Sequence, residues 1–237
     1  MQKTRSINLW RCDLTLHDHL FFATTRRNRV RETGQFIHNY SLTYALGWAK
    51  SGWYTERHKP QYAEQLSSIK GIYVTPAKFL SGEYIILSQR TETEGYAPST
   101  KPNSGTANHN IIRCLRPGSM FRFFVLAGFH LDKIPLLIRL GRLMAKAEIT
   151  KQQPVEIEVA RGDCIIPSLL NWDDMAVEPN LCDVIVYALP GRLIENARFA
   201  ETPYLSAVFS DGETAKLPLE MGYLQKELCS SWIENGA

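Results

Sequence analysis

Trp10, Cys12, Leu14 and Leu16 alternate with Arg11, Asp13, Thr15 and His17. A period of two puts the apolar set on one face of an extended chain and the polar set on the other, which predicts a half-buried strand over 7–17. Apolar runs of strand length recur along the chain, at 71–75, 84–89, 110–115, 120–127, 136–140, 143–149, 155–159, 165–169, 184–189, 193–199 and 205–209. Only two stretches carry helical spacing. Tyr40, Thr43, Tyr44, Gly47 and Trp48 form a stripe in a helix expected from His38 or Asn39 to about Lys50, with Asn39 as N-cap and Gly52 as terminator. The other helix is expected over 60–68. A chain written this way must build its core from sheet.

The connections divide it further. Residues 23–35 are polar and basic and form a loop or short hairpin. Pro117-Gly118 predicts a hairpin turn between the runs at 110–115 and 120–127. From Ser88 to Asn110, 14 of 23 residues are Gly, Pro, Ser, Thr or Asn and no apolar run occurs, so this is a long loop or the tip of an extended hairpin. Acidic turns are expected at 171–180 (NWDDMAVEPN) and 209–213 (FSDGE). There is no repeat of fixed period and no Pro/Ser linker, so residues 1–237 are read as one α+β domain with an antiparallel sheet.

Composition excludes several classes. With 44% hydrophobic and 22% charged residues over 237 positions, the chain buries a core and is not disordered. Its five Cys (12, 114, 164, 182, 229) are scattered and never form C-x-x-C, which argues against a disulfide scaffold or zinc knuckle. No apolar stretch approaches a membrane span and the first residues carry no secretory pattern, so the expected place is the cytoplasm, with no membrane partner.

The net charge of +3 hides a polarity. Residues 1–60 balance to +6, 61–110 to zero, 111–151 to +6 and 152–237 to −9. Either the fold has a polyanion-facing side opposite an acidic one, or folding mixes the segments into an ordinary surface.

Signatures of catalysis are missing. There is no G-x-G-x-x-G, P-loop, G-x-S-x-G or H-E-x-x-H. His17-Asp18-His19 is metal-like, but nothing supplies further ligands, and a strand end with solvated imidazoles is the better reading; no metal or cofactor is expected. Asp173-Asp174 and Glu156/Glu158 read as solvated surface. Tyr, Lys and His can cleave RNA by general acid–base chemistry, but no spacing selects such a set.

The basic residues are better organised. Arg26, Arg27, Arg29 and Arg31 crowd one polar loop with no intervening acid, just before His38-Asn39-Tyr40. Guanidinium grips phosphate bidentately and stacks on bases. The second cluster is Arg139, Arg142 and Lys146 around Gly141, which permits a bulge or a close backbone approach to a ligand. On a continuous strand Arg142 and Lys146 share a face, a spacing that suits phosphates. An exposed sheet face explains it equally.

The strings LTLHDHLFFAT, RETGQFIHNYSLTYALG and IRLGRLMAKAEI together resemble the Cas-five-type subunit of type I-D CRISPR effector complexes, the Csc-one family of RAMP proteins. The resemblance implies a ferredoxin-like, RRM-related core with an added β-hairpin thumb, here at 88–110, and a β-rich C-terminal part. It implies a non-catalytic subunit that holds the 5′ handle of the CRISPR RNA at one end of a Cas-seven filament. Such a subunit contacts the Cas-ten-type large subunit near the place where the protospacer-adjacent motif of the target DNA is read. His38-Asn39-Tyr40 stands where the family's helix-opening motif lies, and Arg139-Gly141-Arg142-Lys146 where its Gly-plus-basic strand motif lies. Both become candidate RNA contacts beside Arg26, Arg27, Arg29 and Arg31. Tyr44 is better placed in the core of the helix. Two other readings stay open: a metal-independent endoribonuclease acting on precursor RNA, and a scaffold with no RNA contact.

Overall fold

The computed structural model of the chain describes residues 7–27, 30–50, 61–91, 108–131, 133–186, 191–219 and 221–225. In chain order the elements are β1 (Asn8–Leu16), β2 (Thr25–Arg27), β3 (Val30–Glu32), β4 (Phe36–Ile37), α1 (Asn39–Ala45), α2 (Tyr62–Ser67), β5 (Ile72–Val74), β6 (Ala77–Ser81), β7 (Tyr84–Thr91), β8 (Asn108–Leu115), β9 (Met120–Ala127), β10 (Leu137–Leu140), β11 (Ala145–Gln152), β12 (Glu156–Ile166), β13 (Leu170–Asn171), β14 (Leu181–Ile185), β15 (Leu193–Val208) and β16 (Thr214–Pro218). A single 3-10 turn, Trp172–Asp174, follows β13.

The main sheet runs β10-β11-β1-β9-β6-β4, with β5 also on β9. Its inward face is the one the alternation in β1 predicts. Cys12, Leu14 and Leu16 pack with Phe121, Phe123 and Val125 of β9, with Ala145, Ala147 and Ile149 of β11, and with Leu42 and Leu46 at and beyond α1. Each fully buried Leu or Phe contributes roughly 1.5–3 kcal/mol. The first half of β1 is buried on both faces. Leu9 and Phe124 belong to a second core under the C-terminal sheet, where β12, β14 and β16 all pair with β15. A third sheet has the order β2-β3-β8-β7. Among the described residues, pairing is antiparallel apart from β3 on β8. Among the described residues no helix is long and apolar enough to cross a membrane.

The sheet-rich α+β reading holds, but several local expectations change. β8 and β9 do not form a hairpin: β8 pairs with β3 and β7, and β9 with β1, β5 and β6. Pro117-Gly118 instead carries the chain from one sheet to another. The end of β1 claims the turn's backbone groups, with Gly118 N–H donating to the Leu16 carbonyl at 2.7 Å and Leu16 N–H to that of Ser119 at 3.0 Å. α1 ends at Ala45 rather than near Lys50, because Gly47 turns left-handed (φ +79°) and Trp48 N–H closes back on the Thr43 carbonyl at 3.2 Å. Gly52, expected as terminator, lies outside the described residues. The N-cap is His38, whose Nδ1 accepts from Tyr40 N–H at 3.3 Å. Asn39 is not the cap, since its amide is bound elsewhere in the interior.

Residues 193–208 form one long strand where two were expected, and β16 follows the FSDGE turn unannounced. β7 and β8 pair antiparallel as far as Thr91 opposite Asn108; the rest of the expected loop or hairpin tip, 92–107, lies outside the described residues. Among the described residues no helix lies between β9 and β10, where a ferredoxin-like core places its second one.

Candidate nucleic-acid interface

β10 and β11 form an antiparallel hairpin closed by residues 141–144. Residues that alternate outward on β10, Leu137 and Arg139, face outward residues Glu148 and Lys146 of β11. Arg139 and Lys146 are thus direct cross-strand partners on the exposed face. Like charges so placed repel, and here the sheet carries that cost. Arg142 is in the turn and not on a strand, so the shared strand face expected for Arg142 and Lys146 does not exist. Among the described residues no ion pair joins Arg139, Arg142 or Lys146 to a carboxylate.

Gly141 shapes this tip for an internal reason. Its φ is +70°, and a Cβ there would lie 2.6 Å from the Phe21 carbonyl oxygen. The next residue, Arg142, donates its N–H to that same oxygen at 2.9 Å. Gly141 therefore admits the protein's own Phe21 backbone. Of the two uses the sequence leaves open for Gly141, a bulge or a close approach to a ligand, the described contact is with the protein's own chain.

The contact also joins the two basic clusters. Four residues beyond Phe21 the chain enters β2, and β2 and β3 form a hairpin in which Arg26 pairs across from Arg31. Phe21 and Thr25 are separated by at most about 14 Å of chain. The Arg26/Arg31 hairpin therefore begins a short length of chain from the carbonyl that holds the Arg142 tip, although over a hundred residues of sequence separate Arg31 from Arg142. Arg26 is exposed and Arg31 half-buried. Arg29 and the side chain of Arg27 lie outside the described residues. Beside β3, Arg113 of β8 stacks over the Tyr84 ring at 3.9 Å and sits 3.8 Å from Glu32. Arg113 marks the base of the long hairpin, and the sequence reading had not singled it out.

His38, Asn39 and Tyr40 are not at this surface. Their exposures are 6%, 0% and 1%. Burial pushes the His38 imidazole down to about 3, so it is neutral and offers phosphate no charge. Asn39 and Tyr40 converge on Asp174. Tyr40 OH donates to its Oδ1 at 2.8 Å, and Asn39 Nδ2, Tyr73 OH and Asn171 Nδ2 donate to its Oδ2 at 2.6, 3.0 and 3.1 Å. Leu224 N–H donates to Oδ1 at 2.9 Å. Burial raises the carboxyl to about 6, against the lowering effect of these donors. Asp174 was expected on the solvated surface; it is wholly buried and ties α1, β5, the 3-10 turn and the chain near Leu224 together. One residue before it, Asp173 is half-buried.

Part of the charge polarity is absorbed inside the fold. Arg11, 6% exposed, donates to Asp211, Glu213 and Gln152 and lies over the Phe209 ring at 4.6 Å. Arg122 bridges Asp13 and Glu213, and Lys78 pairs with Glu195. These ion pairs bolt the main sheet to the acidic C-terminal one. Arg11, Lys78 and Arg122 also line a groove of about 200 Å³ between the two sheets, but all three have carboxylate partners there. Elsewhere, His17 Nε2 lies 3.0 Å from Glu148 and Asp18 accepts from Lys146 N–H at 3.1 Å. Among the described residues no group of three or more His, Cys, Asp or Glu could hold a metal. Cys12, Cys114, Cys164 and Cys182 are free thiols; burial pushes Cys12 up to about 12, so it is inert core.

Three sheets with little helix and a charged seam closed within the fold define a β-rich α+β protein that carries basic residues on two hairpins, β2–β3 and β10–β11. The chain belongs to the type I-D CRISPR-associated protein Cas5/Csc1 family, whose pattern matches residues 7–226. Membership implies a place in the Cascade complex. No curated protein matches the chain.

Proposed function

We propose that this protein is a non-catalytic subunit of the type I-D effector that holds the 5′ handle of the CRISPR RNA and caps the Cas-seven filament beside the Cas-ten-type large subunit. The observation that carries the reading is the in-register pair Arg139–Lys146, with Arg142 at the adjoining tip, bound to the Phe21 carbonyl a few residues before the Arg26/Arg31 hairpin. Like charges opposed across two strands lower stability in the free protein, and a row of phosphates relieves the repulsion. We read the order β1, α1, β5–β6, β9, with β9 between β1 and β5–β6, as the first half of an RRM-related core, and the β7–β8 hairpin as the thumb that reaches a neighbouring subunit. In this reading His38, Asn39 and Tyr40 act from the interior, by fixing α1 against the sheet.

The test is recovery of CRISPR RNA and the Cas-seven-type subunit on the Arg139→Ala/Arg142→Ala/Lys146→Ala protein, beside its thermal melting curve. A folded variant that loses RNA supports the reading. Unchanged RNA recovery from a folded variant defeats it and moves the assignment to Arg26 and Arg31. Incubation of the purified protein with repeat-containing RNA and no metal adds the enzymatic arm: site-specific cleavage would make it a nuclease.

A further inference from the structure

The β10–β11 tip carries more than charge. Leu143 and Met144, side by side at its end, are 41% and 57% exposed, and Leu137 behind them is 72% exposed. The tip is tied at three points. Arg142 N–H is bound to the Phe21 carbonyl, Met144 N–H closes the turn on the Gly141 carbonyl at 3.2 Å, and Arg139 Nη1 donates to the Met144 carbonyl at 3.3 Å. Met144 is held left-handed at φ +53°, a strained conformation for a non-glycine residue. A solvated turn would put Gly, Asn or Asp at these positions. Here two apolar side chains sit in the turn of a hairpin that also carries Arg139, Arg142 and Lys146.

We propose that Leu143 and Met144 form a wedge that inserts against a nucleobase of the bound strand and breaks one base stack, while the three cations hold the flanking phosphates. The inference rests on the reading given under the proposed function and adds how the strand is shaped. Charge decides the occupant. A protein partner would bury the apolar pair in an apolar or mixed pocket, whereas three cations on the same hairpin, with no ion pair to a carboxylate among the described residues, suit a polyanion. Leu and Met are among the side chains that unstack base steps, and the unstacking cost is offset by the contacts the kink permits. A tip tied at three points suits this, because an untethered one would yield before the stack did.

The experiment places 2-aminopurine at successive handle positions of the CRISPR RNA in the assembled complex and reads its fluorescence, which rises several-fold when stacking is lost. The variant is Leu143→Ser/Met144→Asn, Asn being chosen because it tolerates the left-handed backbone. At one position the wild-type complex should show the rise and the variant should return to the stacked level, with RNA recovery, salt dependence and melting temperature unchanged. A rise that persists in the variant overturns the wedge, as does its absence at every position in RNA-loaded wild-type complex. Loss of a protein subunit from the variant complex with the fluorescence unchanged would also overturn it and assign the tip to a protein contact. The Ala triple variant reads the phosphate contacts separately, so failure of the wedge and failure of handle binding are distinguishable.

Discussion

The Tyr40 hydroxyl donates to Asp174 Oδ1 at 2.8 Å across 134 residues of chain. With Asn39, Tyr73, Asn171 and Leu224 it makes Asp174 the acceptor for five donors in the interior. Replacing Asp174 by Ala leaves those donors facing a cavity. Stability should fall by about 3–5 kcal/mol, the range for breaking a buried charged network. Chemical denaturation checks it, and a loss under about 1 kcal/mol would mean the network is dispensable.

The same network predicts an unusual pH response. Burial raises Asp174 in the folded protein to about 6 from its ordinary 3.8, so the native state binds its proton first and this group's contribution is lost as pH rises from about 4 through 6. His38 is lowered to about 3 from 6.5, so its contribution is lost as pH falls below about 6.5. Between about pH 4 and 6 the two slopes oppose each other. In His38→Asn, which keeps a capping side chain, stability should rise on acidification from pH 6 to 4 relative to wild type. Matching stability-against-pH curves for the two proteins would refute the pairing.

Gly141→Ala should disrupt the β10–β11 tip. The new Cβ meets the Phe21 carbonyl in a backbone region that disfavours any side chain. A loss of roughly 1–3 kcal/mol is expected, together with weaker RNA retention, because Arg142 loses its anchor. Normal RNA recovery with a lowered melting temperature would show that tip geometry is irrelevant to binding.

The seam between the sheets should depend on Arg11 more than on its partners. Arg11→Ala removes a buried guanidinium that serves Asp211, Glu213 and Gln152 and covers Phe209, at a cost of about 2–4 kcal/mol. Asp211 is solvent-facing, its carboxyl lowered to about 2 first of all by its hydrogen bond from Arg11. Asp211→Asn should therefore melt close to wild type. Equal losses for the two would mean that the pair acts as one buried unit.

RNA binding should carry a salt signature. With about four phosphates contacted on a single strand, log K falls with log[salt] at a slope of roughly −3. The Arg139→Ala/Arg142→Ala/Lys146→Ala protein should lose about 2 of that slope. An unchanged slope would place the contacts elsewhere.

The strands and their faces were legible in the sequence because local sterics and a period of two are written residue by residue. β1, β7, β9, β11 and the half-buried pattern around Leu14 needed nothing beyond that. The resemblance of the N-terminal strings and of IRLGRLMAKAEI also pointed to the family that residues 7–226 match. Pairing was not written there. Whether Pro117-Gly118 closes a hairpin or passes between sheets depends on which edge satisfies the turn's backbone groups, and β1 supplies that edge from a hundred residues away. The fate of charges was equally hidden. Asp173 and Asp174 are adjacent carboxylates in sequence, but only packing decides that Asp174 is buried under five donors. Arg11 and Arg142 are both arginines in basic segments. Tertiary structure closes Arg11 into a seam with Asp211 and leaves Arg142 at an exposed tip, because burial and partners are properties of distant chain brought together.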